Sequence, residues 1–337
     1  MELVNRTPFV LGRAVFLDKK AAEHLVVALK ATFSIGESGA LVVAEKQEPL
    51  KLTDEFHGEP DSSSIKQEAE LGPVKPATDV LLVGNAVAPQ GVTRYMEVSI
   101  RVGPLEQRAI VFGDRFWTST AGSAGISAPQ PFDAVPLVWE RGFGGTDLTP
   151  GPEHRDHEPR NPVGVGFRAK KSSTPWMDTP LPNIENPAQL LSKPGQRVPP
   201  VGFGPVGRNW EPRVRYVGTY DEQWMQRRMP LLPEDFDDRF HNAAPPGLVA
   251  AGYLGGSETV DVMGCSSGGR FGFTLPGIRP QVAVRVSGQL RPVEMQLNTI
   301  TVDMGQMQLR LLWKGDLPAH GEIMAVSQIE CRVAERR

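Results

Sequence analysis

Glycine and proline interrupt this chain too often for it to be built from long helices. There are 35 glycines and 31 prolines among 337 residues, about a fifth of the chain where an average protein has about 12 %. Glycine costs a helix backbone entropy, and an internal proline removes a hydrogen bond and clashes with the preceding turn. What remains between the interruptions must be short, and short segments of alternating polarity are strands.

That alternation is present. From His24 to Ile35, Leu25, Val27, Leu29, Ala31, Phe33 and Ile35 alternate with His24, Val26, Ala28, Lys30, Thr32 and Ser34, the pattern of a strand with one face buried. Phe9 to Leu17 reads as a strand joined to it by the polar segment Asp18 to Glu23, and Gly39 to Ala44 extends the meander. Arg94 to Val102 alternates in the same way, with Gly103-Pro104 turning into a return strand over Arg108 to Phe112. The pattern returns in Gln281 to Ser287, Val293 to Val302 and Gln306 to Trp313, the last two separated by Asp303-Met304-Gly305.

Between about Asp114 and Pro246 the periodicity fades and glycine and proline crowd together, which predicts loop. Five of the six tryptophans (Trp117, Trp139, Trp176, Trp210, Trp224) lie in this stretch, and disordered segments are poor in aromatics. The expectation is therefore an ordered, loop-rich layer. Thr219 followed by Glu222 fits a capping box for a helix over Tyr220 to Arg228, stopped by Pro230, and Pro233 to Phe240 suits a second short turn. The predicted fold is mainly β: an antiparallel β-sandwich-like framework with a long loop-rich central layer and a few short helices. Its regions are 1–113, 114–250 and 251–337, or one continuous domain.

Charge excludes some functions. With 36 Lys and Arg against 39 Asp and Glu, the net charge is -3, without the excess that drives binding to nucleic acid or anionic membrane. Hydrophobic residues make up 40 %, and a chain this long buries roughly three quarters of the surface its unfolded form exposes, so no disulfide or metal staple is required. Cys265 and Cys331 are too few for a disulfide framework and read as reduced thiols. Met1 to Pro8 shows no signal-peptide pattern and no apolar run approaches a membrane span, so the expected location is the cytoplasm.

Motif by motif, catalytic chemistry finds little support. Gly202-Phe203-Gly204-Pro205-Val206-Gly207 satisfies GxGxxG, but prolines stand where the flanking strand and helix should be, so a tight turn packing Phe203 and Trp210 is favoured over a dinucleotide site. Gly264-Cys265-Ser266-Ser267-Gly268 satisfies GxSxG, yet Gly269 and Gly272 follow where a helix should run, and the βα alternation of a hydrolase is missing. His154 and His157 lie among Glu153, Asp156 and Glu158, bracketed by prolines as a solvated charged turn rather than a metal site. Glu234-Asp235 and Asp237-Asp238 suit a helix N-terminus better than an acid and base pair. No catalytic residue, cofactor or metal site is assigned.

Three loop features remain: Arg141-Gly142-Phe143-Gly144-Gly145, Asn161 to Phe167, and Gly218-Thr219-Tyr220-Asp221 leading to Trp224. Rigid loops anchored by aromatics suit protein recognition. These residues also carry a resemblance. Phe112-Gly113-Asp114-Arg115-Phe116-Trp117, Pro136 to Gly145, Asn161-Pro162-Val163-Gly164, Leu181 to Glu185, Gly202 to Pro205, Gly218 to Asp221 and Pro233 to Asp237 occur in that order. Upstream stand Gln47-Glu48-Pro49-Leu50, Asp54, Phe56-His57-Gly58 and Lys75 to Val80. The sequence resembles, to about Leu254, a family once filed only as a domain of unknown function and found in bacterial type VI secretion clusters beside PAAR-containing spike-tip effectors. It departs from that pattern at Gly142, where alanine is expected, and at Met263 to Gly269.

The resemblance implies a cytoplasmic, non-catalytic adaptor or chaperone that binds a secreted effector, itself PAAR-containing, and helps load it onto the tip formed with VgrG. It supplies no binding residues. From the preference of binding hot spots for Trp, Tyr and Arg, the candidates are Trp210, Arg213, Tyr220 and Trp224, with core packing as the competing reading of the aromatics. The alternative from another class is a carbohydrate-active hydrolase on a β-sandwich, which would need two carboxylates roughly 5 to 9 Å apart in a pocket. A structural part of the spike would call for a β-helix repeat, and no fixed period is present.

Overall fold

The computed structural model describes residues 1–89, 91–120, 123–149, 151, 156–173 and 175–334. The chain is mainly β. Its central sheet runs Val10–Leu17, Glu23–Ile35, Gln308–Pro318, Gln296–Asp303, Asp79–Val83, with Leu41–Val43 also paired to Glu23–Ile35. A second, antiparallel sheet runs Ile184–Glu185, Leu105–Phe112, Tyr95–Val102, Thr259–Met263, Arg270–Thr274. A third runs Glu2–Asn5, Val326–Val333, Pro280–Val286, Gln289–Val293.

The C-terminal strands complete the N-terminal meander by insertion. Gln308–Pro318 pairs antiparallel along Glu23–Ile35, from Gln308 opposite Ser34 to Pro318 opposite His24. Gln296–Asp303 then receives Asp79–Val83 in parallel. The odd-numbered face of this sheet, with Leu25, Val27, Leu29, Ala31, Phe33, Leu309 and Leu311, joins Val98, Ile100 and Val102 of the second sheet and Val282, Val284 and Ile329 of the third in one apolar cluster. Each of the Val, Leu, Ile and Phe side chains contributes about 1.5 to 3 kcal/mol when fully buried.

One expectation is corrected here. The alternation in Glu23–Ile35 predicts a half-buried strand, but nearly the whole strand is buried, including Val26, Ala28, Lys30 and Thr32. The cause is a polar strap formed by residues 45–77, which lies across the second face and meets its polar side chains with hydrogen bonds. Lys30 Nζ donates to the Pro49 carbonyl at 3.2 Å, Thr32 Oγ1 accepts from the Glu48 amide at 3.2 Å, and Gln47 bonds the Thr32 backbone, donating to its carbonyl at 2.9 Å and accepting from its amide at 2.8 Å.

Among its described residues the central region is mostly loop, crossed by short paired strands such as Trp117–Thr120 with Ser123–Ile126, and its helices differ from expectation in two ways. The helix spans only Glu222–Arg227 and is capped by Asp221, whose side chain accepts from the Trp224 amide at 2.8 Å. Thr219, the expected cap, turns instead to Asp235, binding it through its amide at 2.9 Å and its hydroxyl at 2.7 Å. The second turn is a short 3-10 helix over Asp238–His241, capped by Asp237. Among the described residues no helix is long and apolar enough to cross a membrane.

Candidate protein-binding surface

The loop-rich layer is fastened from within by the residues its motifs carry. Trp139 donates its indole N–H to the carbonyls of Pro205 at 2.9 Å and Gly204 at 3.2 Å, and meets Trp210 edge to face at 5.9 Å. A Cβ at Gly202 would lie 2.8 Å from the Trp139 ring and one at Gly207 would lie 2.7 Å from that of Trp210. These glycines let two indoles sit on the backbone, so the GxGxxG pattern is a packing device. Asn161 braces the neighbouring loop through its side-chain amide, donating to the carbonyls of Trp139 at 2.8 Å and Phe143 at 3.0 Å. The GxSxG segment is the turn between Thr259–Met263 and Arg270–Thr274, and burial pushes the Cys265 thiol up to about 12.

Of the four candidate binding residues, two are interior and two face outward. Trp210 is 5 % exposed and Arg213 3 %. Arg213 donates to Glu68 at 2.7 Å, to the Val206 carbonyl at 2.7 Å and to the Phe240 carbonyl at 3.0 Å. Both anchor the layer. Tyr220 is 48 % exposed and packs on the partly buried Trp224 at 4.6 Å, while Trp224 donates its indole N–H to the Leu231 carbonyl at 2.9 Å.

This short helix and its flanks form a knob that exposes apolar side chains among polar ones such as Glu222, Gln226 and Arg227. Met225 and Met229 are each 61 % exposed, and methionine fits varied partner surfaces because it is unbranched and polarizable. The knob is tied to the framework: Arg228 donates to the carbonyl of Lys19 in the first hairpin and to that of Leu232 at 2.6 Å, and pairs with Glu234 at 3.1 Å. A partner would therefore meet aromatic and methionine side chains on a fixed base, with little ordering entropy lost on binding.

A second feature escaped the sequence reading. The even-numbered face of the central sheet carries Lys30, Arg310 and Lys314, and the strap and its flanks bring carboxylates to it. Lys30 is 1 % exposed and binds Glu70 at 2.9 Å; Arg310 binds Glu48 at 2.9 Å and Asp303 at 2.8 Å; Lys75 binds the fully buried Asp79 at 2.6 Å. Asp79 also accepts from the Asn242 side chain at 2.8 Å and the Ala243 amide at 2.7 Å, which ties the loop layer to the sheet. Lys314 donates to the carbonyls of Gly72 and Pro73, and burial, followed by the charge of Lys75, pushes it down to about 7. Only the polarity on alternate positions of a strand could have pointed here. Breaking such a pair strands a buried charge at a cost of about 3 to 5 kcal/mol, whereas a well-packed apolar replacement of the whole pair is often neutral. The network thus fastens the strap in one arrangement.

Several acidic residues at the surface are paired with arginine. On the outer face of the second sheet Glu97 meets Arg108, Glu106 meets Arg101 at 3.1 Å and Asp261 meets Arg270 at 2.9 Å. The bond from Arg270 holds Asp261 below the usual carboxylate range, and that from Arg239 does the same for Asp237. A general acid at neutral pH needs the opposite shift. Among the described residues no group of three or more His, Cys, Asp or Glu is placed to hold a metal; His157 is exposed, and His154 with Glu153 lies outside the described residues.

Searches of curated proteins and of solved structures find no match. A family model does match, over residues 20–314, and so spans the central sheet from Glu23 to Lys314 without its strand Val10–Leu17, together with the whole second sheet, the loop layer and the knob. The chain belongs to the family described as uncharacterized protein conserved in bacteria, DUF2169.

Proposed function

We propose that this protein is a non-catalytic adaptor that binds a type VI secretion effector in the bacterial cytoplasm and helps load it onto the PAAR and VgrG spike. The observation that carries the protein-binding part of this reading is the knob: Met225 on the short helix, Tyr220 just before it and Met229 just after it stand exposed on a segment that Arg228 fastens to the first hairpin. Adaptable apolar side chains on a fixed base suit a surface that grips another folded protein. The secretion role is supported by the resemblance of the ordered motifs from Phe112 to Asp237. The arginine-paired surface carboxylates favour this reading over hydrolysis.

The test is co-purification of the tagged protein from its own host at moderate salt, with mass spectrometry of what stays bound. Recovery of one PAAR-containing or toxin-domain protein in near-equal amount is the expected result. A preparation free of any partner, from cells expressing the secretion genes, would overturn the adaptor reading and justify a glycan substrate screen.

A further inference from the structure

We infer that a groove between the third sheet and the end of the central sheet holds an extended acidic segment of the partner protein, its carboxylates meeting three arginines that have no ion-pair partner among the described residues, above an apolar floor. The inference deepens the adaptor reading by naming the chemistry of the segment held. The groove has a volume of about 1010 Å³. Its floor includes Val282, Val293, Leu297 and Trp313, all buried, with the partly buried Met295 beside them.

Around this floor stand Arg6, Arg279 and Arg332, all exposed. Among the described residues none of the three forms an ion pair, and the one hydrogen bond from their guanidinium groups is that of Arg332 to Gln281 at 2.9 Å. Of the two described acidic residues that line the groove, Glu330 pairs with Arg285 at 3.3 Å, while Glu294 accepts from the neutral Gln296 amide at 2.7 Å and keeps its charge, so the arginines outnumber the one open carboxylate. On the outer face of the second sheet every arginine named above has a carboxylate. Here the positive charge is left open beside buried apolar groups, where a guanidinium binds carboxylate most strongly.

One wall adds a backbone site. Gln289–Val293 is the edge of its sheet, and Ser287 and Gly288 form the two-residue turn that leads into it, both with positive φ. In such a hairpin the residues flanking the turn exchange hydrogen bonds and the next pair does not. The N–H and C=O of Leu290 therefore face the free edge, as does the C=O of Pro292. An extended segment can bond there. Pro292 supplies no second donor, so the edge is blunted against long pairing with another copy of this chain.

The measurement is fluorescence anisotropy of a labelled short peptide of alternating glutamate and leucine, titrated with the purified full-length protein. The same sequence with lysine for glutamate is the control. The expected result is saturable binding of the glutamate peptide that weakens as salt rises, is absent for the lysine peptide, and falls more than about tenfold in the Arg279→Glu, Arg332→Glu double variant. Both positions are exposed, and thermal melting verifies that the variant folds. No binding of the glutamate peptide, equal binding of the lysine peptide, or unchanged affinity in the folded variant would overturn the inference. So would sedimentation showing that a second copy closes the groove. A chain that fails this assay yet recovers an effector from cells sinks the groove alone; one that passes it and recovers nothing sinks the adaptor reading alone.

Discussion

Glu68 and Arg213 stand 145 residues apart in the chain, and the Arg213 guanidinium donates to the Glu68 carboxylate at 2.7 Å. The bond joins the strap over the charged face of the central sheet to the base of the loop-rich layer. Burial alone would raise the Glu68 pKa, but Arg213, Lys75 and Arg208 outweigh it and hold the carboxyl below its usual range.

Replacing Glu68 with alanine should therefore cost about 3 to 5 kcal/mol, because a buried guanidinium is left without its counter-charge. Replacing both residues, Glu68→Met with Arg213→Met, should cost less than the single change. Urea unfolding of the three proteins checks this; equal losses in single and double variants would show that the pair does not act as a clip.

His241 packs against Phe236 and Phe240 at 5.5 and 5.8 Å, and its burial, reinforced by Lys314, Arg213 and Lys75, pushes it down to about 4. The unfolded chain takes up the proton near pH 6.5, before the folded one does. Stability contributed by neutral His241 is thus present above pH 6.5 and is lost as pH falls toward 4, by an amount on the order of 2 to 3 kcal/mol. The His241→Gln variant should show a flatter dependence, measured by denaturant midpoints between pH 7 and pH 4.5.

Lys314 shifts in the same direction but acts in another window. Its folded value of about 7 lies below the ordinary 10.5, so between those values the unfolded state binds the extra proton and stability rises with pH, by at most about 1.4 kcal/mol per unit. Lys314→Met removes that slope. Thermal melts of both proteins between pH 7 and pH 9 should converge as pH rises.

Gly202→Ala places a methyl group against the Trp139 ring, while at Gly204 nothing lies within 4 Å of the added carbon. The first change should destabilise by about 1 to 3 kcal/mol, the usual cost of overpacking, and shift tryptophan fluorescence. The second should leave both unchanged. A nucleotide-binding loop would show the reverse priority, with binding lost in both.

Met225→Glu with Met229→Glu should lower partner affinity more than about tenfold while the unfolding midpoint stays within about 0.5 kcal/mol, as expected for exposed positions that act only in the complex. Trp210→Ala should instead reduce stability itself, since Trp210 is buried against Trp139. Pull-down and denaturation on the same preparations separate the two effects.

The period-two runs and the density of glycine and proline determined by themselves that this chain is a strand framework with a loop-rich insert, because both are local properties of the backbone. Only the tertiary structure decided how deeply those strands are buried and which aromatic side chains reach the surface. Lys30 and Thr32 occupy positions that the pattern assigns to solvent, yet a strap from residues 45–77 covers them; hydrogen bonds and charge pairs between segments distant in sequence leave no local periodicity. Trp210 and Trp224 are the same residue type in the same loop-rich stretch. One is buried because Gly207 leaves room for its ring against Trp139, and the other, on a short helix with no buried residue, meets Tyr220 and the Leu231 carbonyl and stays partly exposed. Burial depends on what packs from elsewhere in the chain, and a sequence window does not contain its own neighbours.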